Sequence, residues 1–284
     1  MRKAFVLLLA LLALTGCGST LEEPENLPEE PPAVETASLP ELTPLGVLSA
    51  PAVVTEGRTP AEPYELPKKI CRNPIADGDF PLLLAELPEE DAAFYGLQWE
   101  TALIRWGDCL AEFDWLYLTP RQILPRLFCL DFDGDWKDEL VVVCYTGSGT
   151  GIAYEELHVL ERGPEGTLTD YALPREMFTE VLSGAMSAVT VNGRTYVILG
   201  TELVDITGIL WENSDPEAIE GLGAGDIVYF EATPDSPFGH HFRYQGAAWL
   251  YGETFIPTVS YAVDLEAIVF YKDGVFTLSD IQLS

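Results

Sequence analysis

Several segments of the chain alternate apolar and polar residues with a period of two, which is the pattern of a half-buried β-strand. In residues 101–106 and again in residues 109–115, every second side chain lies on one apolar face, and Gly107-Asp108 between them suits a tight turn. Asn192-Gly193 separates two β-branched runs, and Asp273-Gly274 repeats that arrangement near the end of the chain. These segments predict antiparallel β-hairpins.

Residues 174–186 have helical periodicity instead. Met177, Val181 and Leu182 fall on one side of a helix, and Gly184 offers a stop. We find no internal repeat of the kind that builds a full propeller. The expected fold class is mainly β, with hairpins and antiparallel sheets in a partial-propeller or sandwich-like arrangement and one or two short helices. Residues 68–284 have a suitable length for a single β-rich globular domain.

The first residues have the pattern of an export signal. Arg2 and Lys3 precede an apolar run, residues 5–14, that is too short to span a bilayer as a stable helix. The run leads into the sequence LTGC, ending at Cys17, which resembles the lipobox of bacterial lipoproteins. That resemblance implies that residues 1–17 are a signal peptide with a lipidated cysteine, and that palmitate-type chains hold the protein at the extracytoplasmic face of the cell membrane. The alternative is an ordinary secretory signal with a chance cysteine.

Residues 18–67 differ in composition from the rest of the chain. They contain ten of the 21 prolines, ten glutamates and a single basic residue, Arg58. Proline removes a backbone donor and blocks the helical turn, and like charges favour an extended chain. This composition predicts a disordered tether between membrane and domain. As a minor alternative, the short apolar piece at residues 44–54 docks on the domain.

Charge restricts the partners. The formal net charge is −31, and it becomes −33 when Arg2 and Lys3 leave with the signal peptide. Binding to nucleic acid depends on neutralising phosphates with Lys and Arg, so a nucleic-acid partner is excluded. Anionic lipid headgroups repel such a chain as well, so membrane association is expected through the lipid.

Four cysteines remain after Cys17: Cys71, Cys109, Cys129 and Cys144. An exported protein leaves the reducing cytosol, so disulfides are allowed, and four cysteines permit three connectivities among which the sequence does not choose. The alternative is that some are buried apolar thiols.

An acidic segment lies between two short apolar runs, residues 127–130 and 140–143. Asp131, Asp133 and Asp135 alternate, and Glu139 follows at the ninth position of the same loop. The backbone carbonyl of Lys137, at the seventh position, could add another oxygen. Calcium takes six to eight oxygen ligands in proteins, and alternate residues of a tight loop can direct their carboxylates at one point. The pattern predicts a calcium site, the alternative being a solvated acidic turn.

The spacing D-x-D-G-D-x-x-x-E-L, followed by three valines, resembles the calcium loops of FG-GAP and VCBS repeats, which lie between strands of extracellular proteins. It is less similar to an EF-hand, which needs a Glu where Val142 stands. Trp136 occupies a position that is usually Gly in such loops. The order of the segments from AAFYGL to IVFYKDGVFTLSDI over most of residues 80–284 also resembles a domain of many bacterial lipoproteins. This resemblance implies a fold and a location, but no reaction.

Signals for catalysis are weak. The stretch TGSGTG, residues 146–151, lacks the Lys and Ser/Thr of a phosphate-binding loop and fits a glycine-rich turn. His158 falls in a predicted strand and is expected to be structural, and the adjacent His240 and His241 would point to opposite faces of a strand. The tryptophans mostly stand in strand-like contexts, where core packing is the default. The sequence therefore predicts a binding or interaction module with a structural calcium loop. The alternatives are a carbohydrate- or cell-wall-binding module and an enzyme with an unrecognised site.

Overall fold

The computed structural model describes residues 38–76, 79–210, 215–233, 241–252 and 261–284. Their strands, in chain order, are β1 (Leu48–Pro51), β2 (Val53–Glu56), β3 (Leu82–Leu87), β4 (Ala92–Gln98), β5 (Thr101–Trp106), β6 (Cys109–Phe113), β7 (Arg126–Leu130), β8 (Glu139–Gly149), β9 (Ile152–Arg162), β10 (Leu168–Ala172), β11 (Met186–Val191), β12 (Arg194–Leu199), β13 (Glu202–Asp205), β14 (Gly221–Ala232), β15 (Phe242–Tyr251), β16 (Tyr261–Lys272) and β17 (Val275–Leu283). A π-helical turn, Met177–Leu182, continues into one α-helical turn, Ser183–Ala185. The remaining helical pieces are 3₁₀ turns at Pro88–Glu90, Pro120–Gln122, Pro164–Gly166, Thr207–Ile209 and Pro216–Ala218. The predicted fold class, mainly β with antiparallel sheets, is confirmed.

The predicted hairpins form where their turn residues allow it. Strands β11 and β12 pair antiparallel around Asn192-Gly193, whose φ angles are +53° and +75°. Strands β16 and β17 pair around Asp273-Gly274, with φ angles of +50° and +75°. Two successive residues with positive φ are the requirement of a type I′ turn, which Asn or Asp followed by Gly meets at low cost. Strands β5 and β6 form the third hairpin, with Gly107 at φ +58°.

The largest sheet has ten strands, and β9 is its branch point. Along one edge β9 pairs with β8, which in turn pairs with β7. Along the other edge it pairs antiparallel with β10 and, nearer its start, parallel with β14. From β14 the sheet continues through β15 and β16 to β17. A four-stranded sheet, β3-β4-β5-β6, and a three-stranded sheet, β11-β12-β13, complete the described architecture.

Strand β8 separates two hydrophobic cores, which explains the uninterrupted apolar run from Leu140 to Cys144 within it. Leu140, Val142 and Cys144 face a core shared with the four-stranded sheet. Val141 and Val143 face the larger core, which the rest of the main sheet and the helical turns enclose. Because successive side chains of a strand point to opposite faces, a strand covered on both sides needs apolar residues at every position. The acidic loop, residues 131–138, is thus attached to one of the most buried strands of the described chain.

Part of the predicted disordered tether is ordered in the structure. Strand β1, Leu48–Pro51, pairs with β17, and strand β2, Val53–Glu56, pairs with β10. The backbone of Arg58 then pairs with that of Glu112 in an isolated antiparallel β-bridge, and the Arg58 guanidinium forms a bidentate ion pair with Asp114. Prolines at the edge of a sheet cost no ladder hydrogen bond, so the proline content did not prevent pairing. The minor alternative, in which residues 44–54 dock on the domain, describes this segment better than the tether does, and the ordered unit extends N-terminally beyond residue 68.

The four downstream cysteines are free thiols. Cys129 faces Leu140 across the β7–β8 pair, so Cys129 and Cys144 are offset by four residues along adjacent strands. That offset is about 13 Å, far beyond the Cα separation of about 7 Å that a disulfide tolerates. Cys109 and Cys144 are buried and Cys71 is half-buried. The structure contains no disulfide among these four cysteines, and the buried-thiol alternative fits Cys109 and Cys144.

Candidate metal centre

The acidic loop connects β7 to β8, and its ends are held together by strand pairing. Leu130, the last residue of β7, pairs directly with Glu139, the first residue of β8. Residues 131–138 therefore leave the sheet and return to it at adjacent points. This closure brings side chains from the beginning and the end of the loop close to one another.

Three of the predicted ligands converge in the structure. Asp131, Asp133 and Glu139 each place one carboxylate oxygen within 4.8 Å of the other two. Glu139 lies at the base of the loop and is only 4% exposed, whereas the two aspartates are partly exposed. Carboxylate oxygens grouped in this way match the ligands that hard divalent cations prefer. The cluster therefore has oxygen ligands of the kind that could hold a hard divalent cation.

Asp135 lies outside this cluster, contrary to the expectation from alternation. The Nζ atom of Lys137 lies 2.6 Å from Oδ2 of Asp135, and the backbone N–H of Lys137 donates to Oδ1 at 2.8 Å. The hydrogen bond and charge of Lys137 lower the pKa of the Asp135 carboxyl. An ammonium group two residues away thus competes for this carboxylate, which the spacing pattern did not reveal. The carbonyl of Lys137 stays a predicted ligand.

Hydrogen bonds from the backbone to the aspartates shape the loop. Oδ1 of Asp131 accepts the N–H of Gly134 at 2.9 Å, and its Oδ2 accepts the N–H of Trp136 at 3.1 Å. Oδ1 of Asp133 accepts the N–H of Asp135 at 2.9 Å. A carboxylate oxygen has more than one acceptor position, so these bonds leave capacity for a cation. The loop backbone is therefore arranged around the carboxylates that form the cluster.

Trp136 has a left-handed backbone conformation. Glycine, the usual residue at this position of such loops, adopts that conformation easily. The φ of Trp136 is +69°, and that of Gly134 is +80°. A residue with a Cβ atom in this region costs roughly 1–2 kcal/mol. The Trp136 side chain is 93% exposed, so packing within the described chain does not offset this cost. Of the tryptophans within the described ranges, Trp106 and Trp115 are buried as expected, whereas Trp136 and, to a smaller extent, Trp99 are exposed.

The electrostatics of the cluster show that grouping these carboxylates is unfavourable without a cation. Burial, followed by the charges of Asp133 and Asp131, raises the pKa of Glu139 to about 7, although hydrogen bonds from the backbone N–H groups of Phe132 and Asp133 oppose the shift. Burial and the neighbouring acids also raise the pKa of Asp133. A divalent cation would reverse both effects by supplying positive charge at the point where the oxygens meet.

A cavity of about 340 Å³ adjoins the cluster. Asp133 and Glu139 form part of its wall, so the cluster and the cavity share side chains. On another side, the guanidinium of Arg162 lies over the ring of Trp106, 3.8 Å from its centroid. No pattern in the sequence pointed to this pair, because Arg162 and Trp106 stand on β9 and β5, in different sheets.

His158 lies in strand β9, as expected, but its surroundings are more polar than the sequence suggests. It is 3% exposed, and its Nδ1 lies 3.0 Å from Oδ2 of Asp170, which also accepts the indole N–H of Trp115 at 2.9 Å. Trp115 stacks on the imidazole with the ring centroids 4.1 Å apart. The sequence could not reveal this group because its members come from separate strands. His241 is buried. The TGSGTG stretch forms the end of β8, where Gly147, Ser148 and Gly149 pair with β9, and Thr150-Gly151 makes the turn between the two strands.

Cys17, His240 and Trp211 lie outside the described residues. Among the helices of the described part, none is long and apolar enough to cross a membrane.

Comparison of the chain with family models, with curated proteins and with solved structures found no match.

Proposed function

We propose that this protein is a lipid-anchored, extracytoplasmic binding module in which the loop from Asp131 to Glu139 holds a structural calcium ion. The observation that carries the proposal is the convergence of three carboxylates at the closed end of the β7–β8 hairpin. Asp131, Asp133 and Glu139 are the ligands supported by geometry, and the carbonyl of Lys137 and water complete the set. The role of the ion is to tie β7 to β8 beside the core.

The donor set favours calcium over magnesium. Ca²⁺ accepts six to eight oxygens in a flexible arrangement, whereas Mg²⁺ requires a tight octahedron and keeps its waters. One oxygen of each of the three carboxylates lies within 4.8 Å of the other two, and two of the carboxylates are partly exposed, so a larger and less demanding ion fits better. Extracellular calcium modules commonly bind with Kd on the order of 10⁻⁴–10⁻³ M.

The cellular location follows from the N-terminal sequence. The lipobox-like sequence ending at Cys17 supports a lipid anchor, and the spacer begins after it. Because β1 starts at Leu48, the proposed spacer ends before that strand. The net charge keeps nucleic acid away from the module. The polar cavity beside the metal cluster suits recognition of a ligand, and we assign no catalytic step to it.

Calorimetric titration of the full chain, purified in a mild detergent and freed of metal by a chelator, tests the proposal. We expect calcium to bind in a ratio of one to one with Kd on the order of 10⁻⁴–10⁻³ M, and magnesium to bind more weakly. If millimolar calcium produces neither binding heat nor a change in thermal unfolding, the carboxylates are only a solvated turn and the proposal is wrong.

A further inference from the structure

The cavity beside the metal cluster has the size and the composition of a ligand site. Its volume of about 340 Å³ lies within the range of small-molecule sites, about 300–1,000 Å³. The acidic loop forms one wall, and Arg162 of β9 with Trp106 of β5 forms another. Two different sheets therefore contribute side chains, and the hydrophobic cores behind them hold these elements in place.

One nearly buried polar group in the wall of the cavity is without a hydrogen-bond partner within the described residues. The indole Nε1 of Trp106, a side chain that is only 2% exposed, donates to no acceptor there. Glu139, in the same wall, accepts the backbone N–H groups of Phe132 and Asp133 on Oε2. An unpaired buried donor is unfavourable, and a ligand that offers it an acceptor removes that penalty.

The charges around the cavity exclude an anionic ligand. Its wall contains six carboxylates and two basic groups, Lys137 and Arg162. The carboxylates are those of Glu90, Asp133, Asp135, Asp138, Glu139 and Glu161. A divalent cation at the cluster leaves an excess of negative charge, which repels acidic ligands. Carboxylates accept hydrogen bonds, whereas Lys137, Arg162 and the indole donate them, so neutral hydroxyl groups suit both kinds of neighbour.

We propose that this cavity binds a neutral saccharide of one or two rings, whose hydroxyl groups pair with the carboxylates, with Arg162 and with the Trp106 indole. The proposal rests on the proposed function, because an ion held by Asp133 and Glu139 has coordination positions that hydroxyl oxygens of the same sugar can fill. Trp136, exposed on the same loop between two residues of the cavity wall, provides an aromatic surface for a longer glycan that extends out of the cavity.

The experiment uses the full chain in mild detergent with 5 mM calcium, probed on an array of neutral and acidic glycans, with each bound glycan then measured by calorimetry. We expect binding to neutral glycans, and an affinity at least tenfold lower for Arg162→Met. Arg175→Met is the matched control, because Arg175 lies over the ring of Tyr154, 4.5 Å from its centroid, and does not line the cavity. This control should bind as the native chain does.

The outcomes separate this inference from the proposed function. Calcium binding without binding of any neutral glycan on the array overturns the saccharide inference and leaves the calcium loop standing. Glycan binding that Arg162→Met and Arg175→Met weaken equally places the ligand elsewhere and also overturns it. Binding restricted to acidic glycans contradicts the charge argument. If neither calcium nor a glycan binds, both proposals are wrong.

Discussion

The carboxylate of Glu139 accepts the backbone N–H of Phe132 at 2.7 Å, so the first residue of β8 closes the loop that precedes it. A glutamine at this position keeps an oxygen acceptor for Phe132 but removes the charge. We therefore expect Glu139→Gln to fold normally and to lose the effect of calcium. In the native chain, calcium at about ten times Kd adds roughly 1.4 kcal/mol to the free energy of unfolding, a shift of about 3–6 °C in Tm.

Differential scanning calorimetry with and without chelator measures this shift. Asp133→Asn should abolish it as well, because Asp133 belongs to the cluster. Asp138→Asn is the matched control, since it removes the same charge from the same loop at a position outside the cluster. If Asp138→Asn and Asp133→Asn reduce the shift equally, calcium responds to the general negative charge of the loop and does not occupy a defined site.

Trp136 gives a prediction about backbone strain. Its φ of +69° is unfavourable for a residue with a Cβ atom, and its exposed side chain contributes little packing. We expect Trp136→Gly to raise the free energy of unfolding by about 0.5–1 kcal/mol. Trp136→Ala should give no such gain, because alanine removes the indole but retains the Cβ atom. Chemical denaturation of the two variants measures the difference, and equal stabilities would show that the φ angle is not the cause.

The sequence predicted the hairpins well because their signals are local. Asn192-Gly193 and Asp273-Gly274 specify their turns without help from the rest of the chain. The pairing of β1 and β2 with β17 and β10 could not be predicted in this way, since it depends on edges formed by residues more than a hundred positions away. Composition alone described those residues as a tether.

Part of the candidate site, the carboxylate cluster, could also be predicted because its signal is local. Spacing placed Asp131, Asp133 and Glu139 together, and the structure agrees. Spacing could not show that Lys137 engages Asp135, because rotation of a long side chain is not a property of the pattern. The cavity depends on contacts between sheets, which no single segment of the sequence encodes.

The ordering of the N-terminal segment is testable by hydrogen exchange. We expect the backbone N–H groups within Leu48–Pro51, where Pro51 itself has none, and within Val53–Glu56 to exchange more slowly than those of an unstructured chain, because these strands pair with β17 and β10. Their protection should be lower than that of β8, which is buried on both faces. Exchange at the intrinsic rate throughout residues 48–56 would restore the disordered-tether interpretation for this segment.

The lipid anchor is tested through Cys17. The lipobox-like sequence predicts that labelled palmitate enters the native protein and that the protein sediments with membranes. Cys17→Ser should abolish the label and, with it, stable anchoring. Cys71→Ser is the matched control, since Cys71 is a free thiol within the folded domain. A native protein that never takes up palmitate would contradict the anchor.

The buried pair of His158 and Asp170 predicts how stability depends on pH. Burial by itself lowers the pKa of His158, but the charge of Asp170 and the hydrogen bond to it prevail and raise that pKa well above its ordinary value. Glu156, with its carboxylate 3.6 Å from Nε2, acts in the same direction, as does the Cys144 thiol. A raised folded-state pKa means that the folded chain holds this proton more tightly than the unfolded chain does.

The stabilisation from His158 should therefore be complete below the unfolded-state pKa of about 6.5 and should decline as pH rises toward the folded-state pKa. Denaturation series between about pH 6 and 7.5, below the pKa of an unperturbed thiol at about 8.5, should show the free energy of unfolding falling by at most about 1.4 kcal/mol per pH unit from this group. His158→Gln should lose that contribution, whereas His241→Gln should retain it. Should His158→Gln fail to fold, an NMR titration of the native imidazole decides the matter. A His158 ring that loses its proton at or below about pH 6.5 would show that the Asp170 pair does not hold the charge in the core.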